Sequence, residues 1–139
     1  IKHIILTANT SAVVPDLRMI CAEMLEAAEA GDLRAVNQID RYFHDTLVAS
    51  SGNDLLVMLW STVSLRVRQV MSLRNRSKGD LHQIARNHIG IVDVIERRAV
   101  DEAVRLIHDH IGLTGDFIAE HWDDDGDAAS KNGANTESS

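Results

Sequence analysis

Four polar side chains of this sequence fall on helical stripes that are otherwise apolar. Asp40 and His44 are four residues apart and share a stripe with Val36 and Leu47. On a helix they would stand one turn apart on the same face. His88 falls in line with Ile84, Ile91 and Ile95, and His110 with Ala103, Ile107, Thr114 and Phe117. The pattern predicts that each points toward the dry side of its own helix. An unpaired carboxylate in such surroundings costs several kcal/mol. A single divalent cation would satisfy all four groups. Carboxylate oxygen and neutral imidazole nitrogen suit zinc, nickel, manganese, cobalt or iron. Two alternatives stay open at this level. Each histidine is read equally as a hydrogen-bonded core residue, and the Asp40–His44 pair as a surface pair. Spacing alone does not show that the three segments converge.

The other histidines contrast with these. His108 is two residues from His110, about 200° round a helix, and is expected to face solvent. His82, six residues before His88, is expected to turn away as well. His3 and His121 lie near helix or chain ends. None of these four is expected to ligate metal.

Several chemistries are excluded or weakened. The formal net charge of -7 makes the chain a poor binder of phosphate backbone, where affinity comes from Lys and Arg displacing counterions. No His-Glu-x-x-His or Gly-x-Ser-x-Gly motif occurs, so two common hydrolase signatures are missing. No Glu is followed three residues later by His, which argues against a di-iron bundle. The Asp-rich run from Asp123 lacks the Gly and Glu spacing of an EF-hand loop. Three histidines and a carboxylate with an open position can activate water. A metal-dependent hydrolase or lyase therefore remains the alternative to a sensor, although no general base accompanies the ligands. No catalytic residue is assigned, and the chain is expected not to be an enzyme.

The elements that must carry these residues are helices. Leu, Ile, Val and Ala dominate, aromatics are 4% and Pro15 is the only proline, a mixture that favours an all-α bundle over a sandwich. With 139 residues one core is expected. The first eight residues are read as a helix tail, and Asn9, Thr10 and Ser11 as turn residues. Pro15 then fits the first turn of a helix running to Ala30, where its missing N–H costs nothing. Leu17, Ile20, Cys21, Met24, Leu25 and Ala28 form its buried stripe. Gly31 stops it and Asp32 caps the next helix, 33–49. A long helix follows at 54–75, with Leu55, Leu59, Val63, Val67 and Val70 expected inward. A polar loop is expected at 75–79. Asp80 caps a helix to about Arg98, and the last runs 101–121. The expectation is an antiparallel bundle of about six helices over 1–122. Residues 123–139 have nothing to bury and are expected to form a disordered acidic tail. Cys21, the only cysteine, excludes an internal disulfide and fits a reducing, cytoplasmic compartment. No apolar run reaches the roughly 20 residues of a membrane span, and no membrane partner is expected. Trp60 is expected in the core, and Trp122 over the end of the last helix.

Two phrases carry a family resemblance. The first is Asp40-Arg41-Tyr42-Phe43-His44-Asp45-Thr46-Leu47 followed by Ala49-Ser50-Ser51-Gly52-Asn53. The second comprises His88, Asp101-Glu102-Ala103 and His110-Ile111, with the two histidines 110 − 88 = 22 residues apart. Together they resemble the FCD domain, the C-terminal effector-sensing domain of FadR-like members of the GntR family of transcription regulators. The resemblance covers about residues 1–120. It implies a helical bundle and a divalent metal, zinc, nickel or manganese, held by Asp40, His44, His88 and His110. It also implies a small carboxylate effector on that metal, though some family members bind effector without metal. A homodimer is implied, and operator DNA would be bound only through an N-terminal winged-helix domain that precedes such domains and is not in this chain. The chain departs from the pattern at Asn87, where the family has Glu, which puts a partner of His88 in doubt. The family's early helix, with its arginine, is largely missing, and the sequence reads as starting inside a helix. Among the arginines present, Arg66 shares a stripe with Leu59, Val63 and Val70 and is the candidate to hold an effector carboxylate. The plainer alternative is a structural ion pair. Arg68 is expected to point away.

Overall fold

The structure is a computed structural model that describes residues 1–6, 9–78 and 80–121. Among them are six α-helices: α1 (Lys2–Leu6), α2 (Asn9–Glu29), α3 (Leu33–Ala49), α4 (Asp54–Lys78), α5 (Leu81–Glu96) and α6 (Val100–His121). The all-α class expected from composition is what forms. No helix is long and apolar enough to cross a membrane.

The bundle is organised around α2, which packs on both α3 and α5; α4 leans on α3 and α6, and α5 on α6. The cause is the spacing of apolar residues on α2. Val13, Leu17, Ile20, Cys21, Met24 and Ala28 recur every three or four residues, and all are buried. Each large side chain of that stripe contributes roughly 1.5–3 kcal/mol by leaving water. Val36, Phe43 and Leu47 of α3 and Ile91, Val92, Val94 and Ile95 of α5 complete the core.

The helix ends follow local chemistry. Gly31 takes φ +67°, the left-handed turn that glycine adopts without strain. The Asp32 carboxylate then accepts a hydrogen bond from the Ala35 N–H at 2.9 Å, and that of Asp80 from the Gln83 N–H at 3.0 Å. The break before α6 comes at Arg98, with φ 56°.

Three expectations need correction. First, α2 begins at Asn9 and not at Pro15. Thr10 is buried and its hydroxyl donates to the Ile4 carbonyl at 2.8 Å, so a residue read as a turn former seals the end of α1 instead. Pro15 is tolerated inside the helix because Pro15 and Ser11 lie on its exposed side, where the Ser11 carbonyl left without an N–H partner meets water. Second, α4 continues through Asn75 to Lys78. Asn75 is buried, and its amide donates to Asn37 Oδ1 at 2.6 Å, which holds the last turns of α4 against α3. Third, the inward face of α4 differs from the expected stripe. Leu55, Leu59 and Val63 are exposed, while Val67 and Val70 are half-buried. The start of α4 is apolar all round, so its periodicity does not select one face. The tail at 123–139, Trp122, and the side chains of Thr114 and Phe117 lie outside the described residues.

Candidate metal and effector site

Asp40 and His44 of α3, His88 of α5 and His110 of α6 come together at one point in the bundle. The ligand-capable nitrogens of the three histidines lie within 4.8 Å of one another. His88 Nε2 is 2.9 Å from Asp40 Oδ1 and 3.4 Å from His44 Nε2. His110 Nε2 is 3.2 Å from His44 Nε2, and His44 Nε2 is 3.9 Å from Asp40 Oδ1. Phe43 supports the rings edge-on, with centroids 4.7 Å from His88 and 5.6 Å from His44.

The tautomer of His88 decides what this cluster can do. Its Nδ1 is 2.8 Å from the Ile84 carbonyl. A carbonyl only accepts, so Nδ1 carries a proton. In the neutral ring, Nε2 then presents a lone pair to Asp40. Asp40 Oδ1 is accordingly buried without a hydrogen-bond donor. The contact becomes a hydrogen bond only if His88 takes a second proton. A proton, a metal cation or an ordered water would give the Asp40 oxygen the partner that its burial calls for. The spacing admits the metal. Atoms bound at about 2.0–2.2 Å to one ion stand roughly 2.8–3.6 Å apart, from octahedral to tetrahedral angles, a range that holds the 2.9, 3.2 and 3.4 Å separations but not the 3.9 Å one.

Burial pushes the Asp40 carboxyl up, but positive charge on the surrounding rings, with the hydrogen bond that a protonated His88 would give, holds the group below its ordinary range; a metal cation would supply that positive charge with the rings neutral. Burial holds the His44 imidazole below its ordinary value against the pull of Asp40. An ionised carboxylate and a neutral imidazole are the forms that bind metal.

Asn87 makes no hydrogen bond to His88. It faces outward and accepts from Gln83 Nε2 at 2.7 Å, while the backbone of Ile84 fixes the His88 ring. His82 and His108 are exposed, as their positions predict. The side chains of His3 and His121 lie outside the described residues.

A cavity of about 250 Å³ opens beside Asp40 and His44 between α3 and α4, lined further by Asn37, Trp60, Val67, Arg68 and Ser72. That is room for roughly eight waters or a small acid. Trp60 is half-buried and not in the core. Its Nε1 donates to Asp45 Oδ1 at 2.7 Å, and its ring stands 6.1 Å from that of His44. The expected positions of two arginines are reversed. Arg66 is exposed and hydrogen-bonds Gln69 Oε1 at 3.4 Å along its own helix. Arg68 is half-buried on the cavity wall, with Nε donating to the Ser64 carbonyl at 3.3 Å. The carboxylates among the described residues make no ion pair with Arg68. Its signal in the sequence was the placement of Ser64 and Arg68 on the stripe of Trp60 and Val67, the side of α4 that packs on α3.

The chain is thus a helical bundle in which three convergent histidines that could hold a metal stand beside a small, mostly apolar cavity. A family model described as the FCD domain matches residues 4–113. The chain belongs to the FCD domain family, the effector-sensing domains of GntR-type regulators. No curated protein and no solved structure matches it.

Proposed function

We propose that the chain senses a small organic acid in the cavity between α3 and α4, at a divalent cation held by Asp40, His44, His88 and His110. The observation that carries this reading is the buried Asp40 oxygen, which has no donor and faces imidazole nitrogens. The cation would supply positive charge for a carboxylate of the effector. The chain's own residues do the rest. Arg68 presents its guanidinium from the opposite wall, where a bidentate pair with carboxylate is favoured. Trp60 and Val67 give an apolar side, and Asn37 and Ser72 offer hydrogen bonds. Among the described residues, Asp40 is the only carboxylate lining the cavity. The four candidate ligands thus leave no separate acid or base for catalysis, which supports a sensor over a hydrolase.

In the regulator, effector binding would shift the helices around the cavity and reorient attached DNA-binding domains. The acid must bind the two arrangements with different affinity, or it shifts nothing. Zinc, nickel and manganese all suit the ligand set, and a cytoplasmic homodimer is the expected setting.

The first test is elemental mass spectrometry on the purified chain and on a His88→Ala, His110→Ala variant. Close to one divalent ion per chain, lost in the variant, is expected. No ion after incubation with zinc, nickel and manganese would remove the metal. The second test titrates small acids into the loaded protein. Arg68→Ala should weaken acid binding at least tenfold while metal content stays unchanged.

A further inference from the structure

We propose that the acid sensed in the cavity carries two carboxylates on a short apolar chain, and that Arg68 holds the second of them. The inference rests on the reading that the cavity takes a small acid beside a divalent cation. Charge is the first ground. With the imidazoles neutral, as metal binding requires, Asp40 balances half the charge of the cation. Arg41 lies on the cavity wall too, but Asp45 meets its charge at 3.3 Å. No carboxylate among the described residues meets that of Arg68. Two positive charges therefore remain, one at the cation and one at Arg68. A monoacid balances one and leaves the other half-buried without a partner, which is costly. A dianion balances both.

Placement is the second ground. The Arg68 Nε donates to the carbonyl of Ser64, one turn earlier on α4, so the side chain runs back along the helix toward Trp60. Its two amino groups have no hydrogen-bond partner among the described residues. They form the fork that grips a carboxylate. Ser64 is four residues from Trp60, about 6 Å along the helix, and the Trp60 ring stands 6.1 Å from that of His44. The guanidinium and the cation site are thus set apart along the cavity, one on α4 and one against α3. The stretch between them is apolar. Trp60 spends its only N–H on Asp45 at 2.7 Å and stands with Val67 in a mostly apolar lining. A hydroxyl on the acid's chain would be buried there without a partner. Ser72 is one turn past Arg68, and Asn37 is held by Asn75 near the end of α4, so both lie on the side of the second carboxylate. The volume of about 250 Å³ suits a diacid of about four to six carbons.

The test is isothermal titration calorimetry of the whole chain loaded with zinc. The diacids succinate, glutarate and adipate are each compared with the monoacid of the same length, butanoate, pentanoate and hexanoate, and succinate also with its dihydroxy form, tartrate. The best diacid is expected to bind at least about tenfold tighter than its monoacid, and succinate tighter than tartrate. In Arg68→Gln, with zinc content unchanged, the diacid should fall to within about threefold of the monoacid, whose own affinity should hold. Arg68→Lys keeps the charge but loses the fork, and its preference for the diacid should be smaller than that of the native chain. Far-UV circular dichroism checks that each variant folds, and the lysine variant carries the test if the glutamine one loses helix. Equal affinity of the native chain for diacid and monoacid would overturn the proposal and leave the acid-sensing reading in place. So would a full preference for the diacid in the folded Arg68 variants. Binding of none of these acids would overturn both.

Discussion

Removing His110 separates a metal centre from an ordinary polar core. His110 is half-buried and lies at the end of the cluster, with its Nε2 3.2 Å from that of His44. In chelator, His110→Ala sets a metal-free baseline, a loss on the order of 1–3 kcal/mol for removing one partner from a part-buried polar cluster. Its effect on the loaded protein should be larger. A ligand that binds only the folded state stabilises by about 2.7 kcal/mol when present at 100 times its dissociation constant. Losing one of four ligands should weaken binding about 100-fold, since even outer partners of a metal ligand are worth 10- to 100-fold. At the same free metal the variant would then gain only about 0.4 kcal/mol. The assay is urea denaturation followed by circular dichroism, in chelator and in buffered zinc or nickel. The native chain should show the full increment and the variant almost none. Equal increments in both, or none in the native chain, would refute the reasoning that His110 and Asp40 share a cation.

Three further outcomes are expected. The metal-free chain should lose stability in acid. His44 is held below its ordinary value in the fold, so the unfolded chain takes up the proton first as pH falls below about 6.5. Asp40, also lowered, adds a loss below its ordinary range near 3.8; a urea midpoint at pH 5 equal to that at pH 7.5 would contradict this. Phe43→Ala should cost about 3–5 kcal/mol and disturb metal uptake as well, because Phe43 is fully buried and supports two of the histidines; unfolding and metal titrations read both. Arg98→Gly should stabilise by about 0.5–1 kcal/mol, since Arg98 holds the left-handed conformation that glycine takes freely; a lower urea midpoint would show that the arginine side chain contributes more than its backbone strain costs.

Short-range chemistry was legible in the sequence, and burial across long range was less so. Asp32, Asp80 and Gly31 mark helix ends because capping depends on neighbours within one turn. The inward direction of Asp40, His44, His88 and His110 was legible because each shares a stripe with residues that can only be core. Their convergence was not, since it depends on how α3, α5 and α6 pack. The reading failed where a segment satisfied more than one pattern. Asn9 to Ser11 are turn formers by type, yet Thr10 gains more by sealing α1. The start of α4 is apolar on every side, so choosing the stripe of Leu55, Leu59 and Val63 put Arg66 inward and Arg68 outward, the reverse of their positions.

The bond between His88 Nδ1 and the Ile84 carbonyl at 2.8 Å has a consequence for timing. Ile84 and His88 lie one turn apart on α5, so the ring is fixed by the same backbone that forms the helix. Nε2 is thereby aimed at Asp40 and His44 as soon as α5 is in place. The ordering of this side chain is completed on folding, and a cation arriving later would not have to bear its entropic cost.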